Sequence, residues 1–159
     1  MYAERMSDGR PWKERLEDLG KPFERAYQER VEAVRKSTAP VTLLPNELRP
    51  RDACASLQCI GIMVREHEVG MLQVSGRADG TLWIDKIDVY RDLNMRGYGK
   101  SALSLLRTLA RKEKYLRLAG EVEPGKPEVV QGRRIFFEKC GFVVNEDRSM
   151  EMEIEDSAS

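Results

Sequence analysis

The chain is expected to be an α/β protein built on one mixed sheet, in the order α-βββ-α-β-α-ββ, with helices on both faces. Three observations lead there. Apolar residues recur every three to four positions in 11–36, 97–114 and 127–140. The period switches to two between 57 and 90. Turn-forming clusters separate the segments, so the strands read as an antiparallel meander, then a βαβ unit, then a terminal hairpin. A length of 159 residues suits one domain over 51–159, with an N-terminal helical segment over 1–50 packed on it.

In residues 11–36 Trp12, Leu16, Leu19, Phe23, Ala26, Arg30 and Ala33 form a stripe that Tyr27, Val31 and Val34 widen. Gly20-Lys21-Pro22 interrupts it, because proline lacks a donor and restricts the residue before it, so two short helices or one kinked helix should result. The stripe is expected to pack on the protein's own sheet; the alternative is a homodimer seam. Val41–Leu44 is the candidate first strand. Leu57, Cys59, Gly61 and Met63 then alternate with Gln58, Ile60, Ile62 and Val64. Glu66-His67-Glu68 turns the chain into a strand containing Val69, Met71 and Val74, and Arg77-Ala78-Asp79-Gly80 turns it into Leu82–Tyr90. Gly97–Lys114 is helical, Tyr115–Val122 a strand, and Pro127–Cys140 a helix that Gly141 caps. Phe142–Val144 and Met150–Ile154 close a hairpin around Asn145-Glu146-Asp147-Arg148.

Composition excludes more than it names. No apolar stretch is long enough for a membrane span, and the N-terminus has no apolar core of a secretory signal. Cys54, Cys59 and Cys140 lack metal-ligand spacing and His67 is the lone histidine, so neither a disulfide framework nor a metal site is expected, and a reducing cytoplasm suits the chain. Cys59 and Cys140 are expected in the core and His67 in solvent. With 27 basic and 27 acidic residues, the chain is not expected to capture nucleic acid or an anionic membrane electrostatically. The charge is nevertheless sorted: residues 91–117 hold eight basic side chains against Asp92 and Glu113, whereas the tail from Glu146 is acidic. A basic stretch of that size suits a small anion, or is simply a solvated helix face.

The segment Ile87–Leu103 is a strand, a loop with two glycines and a helix start. Glycines let a ligand approach the backbone, and the unpaired N–H groups of a helix start attract phosphate; Arg96 and Lys100 add charge there. Gly99-Lys100-Ser101 imitates the end of a P-loop, but the first glycine is replaced by Asn94 and no apolar strand ending in Asp follows to hold magnesium. Gly97-Tyr98-Gly99-Lys100-Ser101-Ala102 satisfies a dinucleotide fingerprint, yet Arg91–Arg96 separate it from the strand, and the meander before it is wrong for that fold.

Asn94-Met95-Arg96-Gly97-Tyr98-Gly99 resembles motif A of the GNAT superfamily of acyl-CoA N-acyltransferases, except that Asn94 stands for Gln or Arg. Arg96-Gly97-Tyr98-Gly99 looks most like the histone acetyltransferase branch. Phe136-Phe137-Glu138-Lys139-Cys140-Gly141-Phe142 resembles motif B, and residues 57–154 follow the family's element order. The resemblance implies an N-acetyltransferase that moves an acetyl group from acetyl-CoA to a primary amine of a protein or small molecule. Backbone N–H groups of Met95 to Ser101 would grip the coenzyme's pyrophosphate, the pantetheine arm would run beside Ile87 and Val89, and N–H groups near Val89 would polarise the thioester carbonyl. Alternatives remain a non-catalytic acyl-CoA-binding or interaction module, and a nucleotide-binding protein reading the same loop.

An amine near pKa 10.4 is neutral in only about one part in two thousand at pH 7, so a base is valuable. The histone branch carries a glutamate where this chain has Trp83. Asp85, which a period of two turns the same way as Trp83, Ile87 and Val89, and Glu121, with Glu123 beside it, are the candidates. Asp85 could equally be a surface partner of Lys86. Many family members use a tyrosine at the position of Phe137 to protonate the leaving sulfur. Phenylalanine cannot; departure as thiolate at pH 7 costs roughly 2 kcal/mol for a thiol of pKa about 8.5, so Phe137 is expected to pack instead.

Overall fold

In the computed structural model, residues 12–50, 56–90, 93 and 96–154 are described; for 12–23 this covers the backbone only. The chain forms two compact units, residues 1–38 and 39–159. Among the described residues the first contains the helix α1 (Trp12–Lys36), of 25 residues. It runs through Gly20-Lys21-Pro22 as a single element, because one missing donor removes one rung and leaves the rest of the ladder. Val31 and Val34 are buried whereas Ala26, Arg30 and Ala33 are exposed; the side chains of Trp12, Leu16, Leu19 and Phe23 lie outside the described residues.

The second unit holds one seven-stranded sheet in the order β1-β2-β3-β4-β5-β7-β6. Its strands are β1 (Val41–Leu44), β2 (Gln58–Val64), β3 (His67–Gly76), β4 (Thr81–Val89), β5 (Arg117–Glu121), β6 (Val143–Val144) and β7 (Ser149–Glu153). Helix α2 (Tyr98–Lys112) joins β4 to β5, and α3 (Pro127–Lys139) joins β5 to β6. The β4–β5 pair is parallel and every other pair antiparallel. The meander and hairpin are therefore as expected, and Val41–Leu44 is the first strand of the sheet. The first hairpin turns at Arg65-Glu66, with Arg65 at φ 55, so His67 already starts β3. Two-residue loops are the commonest hairpin connection because their primed turns match the twist of the flanking strands.

Period two sorts the sheet into unlike faces. Ile60, Ile62, Leu72, Val74, Leu82, Ile84, Leu118 and Met150 point to one face and are all at most 4% exposed. They meet the apolar stripe of α2, whose Ala102, Leu103, Leu106 and Ala110 are buried. α3 shares that face: a Cβ on Gly99 would touch both Phe136 of α3 and Val89 of β4. Within residues 39–159 both helices lie on this one face of the sheet. Both crossovers advance the same way across the sheet, and right-handed crossovers of one direction deliver their helices to one side.

The other face carries exposed Cys59, Asp85, Glu121, Glu151 and Glu153, with half-buried Trp83 and Arg117. Cys59 is therefore on the outer face and not in the core, because it alternates with Ile60. Trp83 lies under the Arg77 guanidinium, 4.3 Å from the ring centroid. Arg117 donates to Thr81 Oγ1 at 2.9 Å and pairs with Asp79 and Glu153. Asp79 also accepts the Thr81 amide at 3.1 Å, and bonds from Thr81 hold its carboxyl below the usual range.

Candidate functional site

A β-bulge creates the site. The β3–β4 register shifts between Gln73 and Val74, which leaves Asp85 as the extra residue on β4. Such an insertion bends the strand and raises its twist. β4 and β5 pair from Thr81↔Arg117 to Ile84↔Gly120 and no further. Past the bulge β4 runs on to Val89 alone on its β5 side, so the ladder-facing N–H and C=O groups of Asp85–Val89 have no strand partner there. Gly120 sits at the root of the split, where a Cβ would lie 2.9 Å from Met150 Cε and 3.0 Å from the Ile84 carbonyl oxygen.

The split opens into a cavity of about 740 Å³ between β4, β5, the start of α2 and one side of α3. Ile84, Met150 and Phe137 form its floor. Gly97, Gly99 and Lys100 form the lip beside β4, and Glu121, Glu123 and Arg133 the lip beside β5. Of the residues singled out in the sequence, Asp85, Ile87, Val89, Gly97, Gly99, Lys100, Glu121 and Phe137 all line this one cavity. Arg96, Tyr98 and Ser101 belong to the loop and first turn without lining it, and Asn94 and Met95 lie outside the described residues.

The loop has the electrostatics of an anion cradle. Gly97, at φ 77, caps α2 from the left-handed region, no side chain caps the helix, and its first turn holds no acid. Ser101 N–H donates to the Gly97 carbonyl at 3.0 Å, so its amide is already used inside the helix. The N–H groups of Tyr98, Gly99 and Lys100, which precede that first rung, are those left for a ligand. A Cβ on Gly97 would meet nothing within 4 Å. Gly97→Ala is therefore expected to lose only the left-handed preference, about 1–2 kcal/mol in urea denaturation. A larger loss would mean that the cap carries packing as well.

The two candidate bases differ in their surroundings. Asp85 Oδ2 accepts a hydrogen bond from Ser75 Oγ at 2.7 Å. The bulge also breaks the parity assumed for it: Ile84 pairs with Val74 and Ile87 with Leu72, both on the buried face, so Asp85 stays with Trp83 and points away from Ile87 and Val89. Among the described residues no hydrogen bond or ion pair engages the Glu121 carboxylate. Glu123 is paired with Arg133, 3.7 Å from Oε2 to Nη2.

Phe137 is 6% exposed and stacks edge-on with Phe136 at 5.1 Å and with Phe142 at 5.7 Å. It packs, as expected of a residue without a proton to give. Cys140 is half-buried in the cavity wall rather than in the core, and burial pushes its thiol up against the opposing pull of Lys100. Alkylation by N-ethylmaleimide at pH 8 is expected to be slower at Cys140 than at exposed Cys59, because less of the Cys140 thiol is thiolate. Peptide mapping by mass spectrometry checks the order, and equal rates would contradict it.

Sequence reasoning missed Gly120, Met150, Arg133 and the rest of the α3 wall. The α3 signal was present: Val129, Gly132, Arg133, Phe136 and Cys140 recur at helical spacing and line the cavity together. Among the described residues no group of three or more His, Cys, Asp and Glu could hold a metal ion. No helix there is long and apolar enough to cross a membrane.

No family model and no curated protein sequence matches the chain. Solved structures do. The PaiA N-acetyltransferase of Thermoplasma acidophilum, in complex with coenzyme A, is similar with TM-score 0.51 and 17% identity over 61% of this chain. The match spans 60% of the PaiA chain, less than two thirds of it. Ard1 of Thermoplasma volcanium is similar with TM-score 0.50 and 19% identity, covering 61% of this chain and 70% of that one. A Bacillus subtilis acetyltransferase in complex with CoA is similar with TM-score 0.50 and 15% identity, covering 62% and 78%. The fold is therefore the GNAT acyl-CoA N-acyltransferase fold.

Proposed function

We propose that this chain is an N-acyltransferase that transfers an acetyl group from acetyl-CoA to a primary amine of a protein or small molecule. The observation that carries the reading is the β4–β5 split. One cleft places an uncapped helix start, a run of unpaired strand backbone and two carboxylates around the same volume. The phosphates would sit on the N–H groups of Tyr98–Lys100 with Lys100 beside them. The pantetheine arm would take the free backbone groups of Ile87–Val89 as a strand would, and the thioester would reach the floor at Ile84, Met150 and Phe137.

Acetyl-CoA supplies the activated acyl carbon. Glu121 holds the base position: it borders the cleft and has no internal partner to give up, whereas Asp85 would have to release Ser75. Backbone N–H groups of Asp85–Ile87, close to the root of the split, are better placed than those near Val89 to polarise the thioester carbonyl. With Phe137 at the floor the sulfur leaves as thiolate. Cys59 and Cys140 are free thiols, which suits a reducing compartment such as the cytoplasm.

Thermal shift with acetyl-CoA, ATP and NAD tests the ligand class. Acetyl-CoA is expected to raise Tm by several degrees and the nucleotides to leave it unchanged; stabilisation by ATP alone would remove the reading. Release of free thiol over a panel of amines then tests turnover. Stabilisation by acetyl-CoA without thiol release for any amine would make the chain an acyl-CoA-binding module instead.

A further inference from the structure

We propose that Arg133 is a second anion-recognition residue of the cleft, which exchanges its contact with Glu123 for a phosphate group of coenzyme A. The proposal rests on the acyl-CoA reading above. Arg133 stands on α3 one turn before Phe137, beside the end of β5, and lines the same cavity as Gly97 and Lys100. Its Nη1 donates to the carbonyl oxygens of Glu123 at 3.1 Å and Pro124 at 3.5 Å, so the backbone sets where the guanidinium lies. Among the described residues Nη2 has only the Glu123 carboxylate, 3.7 Å away, with the two side chains 38% and 63% exposed.

That separation is longer than the roughly 2.7–2.9 Å of a charge-assisted hydrogen bond. A long, solvated pair of this kind contributes little, so an anion entering the cleft displaces Glu123 easily. A guanidinium presents a planar fork that matches phosphate, and it stays charged at every working pH. The cavity lining carries as many acids as Lys and Arg side chains. A strongly anionic ligand therefore needs a cation freed from its internal partner, and Arg133 has a weak one to release.

The test is equilibrium binding of CoA and dephospho-CoA, by titration calorimetry, to the full chain and to Arg133→Ala, Arg133→Lys and Glu123→Gln. Arg133→Ala is expected to weaken CoA binding by about 10- to 100-fold, with partial recovery in Arg133→Lys. Glu123→Gln should bind CoA at least as tightly as the unmodified chain, because the competing acid is gone. Dephospho-CoA identifies the group: unchanged affinity in Arg133→Ala assigns the 3′-phosphate, and a parallel loss assigns the diphosphate. Either result supports the proposal. Unchanged CoA affinity in Arg133→Ala overturns it. So does weaker CoA binding in Glu123→Gln than in the unmodified chain, which would reduce Arg133 to a staple for the β5–α3 loop, and that measurement stands even if Arg133→Ala fails to fold. Absence of CoA binding by the unmodified chain would instead overturn the acyl-CoA reading itself.

Discussion

Glu121→Gln is expected to lower kcat for amine acetylation by about 10²–10⁴-fold, the range for removing a positioned general base, with KM for acetyl-CoA little changed. The substitution keeps the size of the side chain and removes only its ability to take a proton. At pH 7 about one amine in two thousand is neutral, so the rate depends on a group that draws the ammonium proton away. Glu121 ends β5 at the lip of the cleft and has no partner among the described residues. Asp85→Asn should have the smaller effect, since the Asp85 carboxylate is held by Ser75. Thiol release at saturating acetyl-CoA, followed across pH, separates the two. Full activity of Glu121→Gln at every pH would remove it as the base.

Gly99→Val is expected to destabilise the protein by about 1–3 kcal/mol and to abolish the stabilisation by acetyl-CoA. Gly99 is buried in the first turn of α2, and even a Cβ there would lie 2.9 Å from Phe136 Cζ and 3.7 Å from Val89 Cγ2. The added methyl groups have to push α2 off α3 or off β4, and either movement shifts the amides of Tyr98–Lys100 relative to the cleft. Urea denaturation reads the first effect and thermal shift with acetyl-CoA the second. A variant that is less stable yet still bound by acetyl-CoA would show that the loop tolerates displacement, against its role as the phosphate cradle. Gly97→Ala provides the contrast, because its cost is conformational and no neighbour must move.

Much of the fold was legible because its signals are local. The meander shows in the alternation from Leu57 to Val89 and in the turn at Arg77–Gly80; α2 and α3 show in their apolar spacing and in Gly141 after α3. The phosphate-type loop was legible for the same reason, since two glycines and a helix start are contiguous. The misplacements have one origin. Cys59 and Asp85 were assigned by counting along the chain, and face assignment belongs to pairing between strands. One bulge opposite Gln73 and Val74 reverses the parity of every residue after Asp85. Pro22 was read as a break because its local penalty is visible, whereas the remaining rungs that carry α1 through it are not.

The sequence by itself determined the order of elements, the glycine-bearing helix start at Gly97–Lys100, and the lack of a proton donor at Phe137. These follow from short-range rules: backbone freedom, periodicity and side-chain chemistry. Only the tertiary structure decided that the loop, β4, the end of β5 and α3 enclose one cavity, that among the described residues Asp85 has a side-chain partner and Glu121 has none, and that Arg133 lines the same cavity as the loop. Those facts depend on where β4 parts from β5, and that point is set by pairing with β3, between residues far apart in the chain.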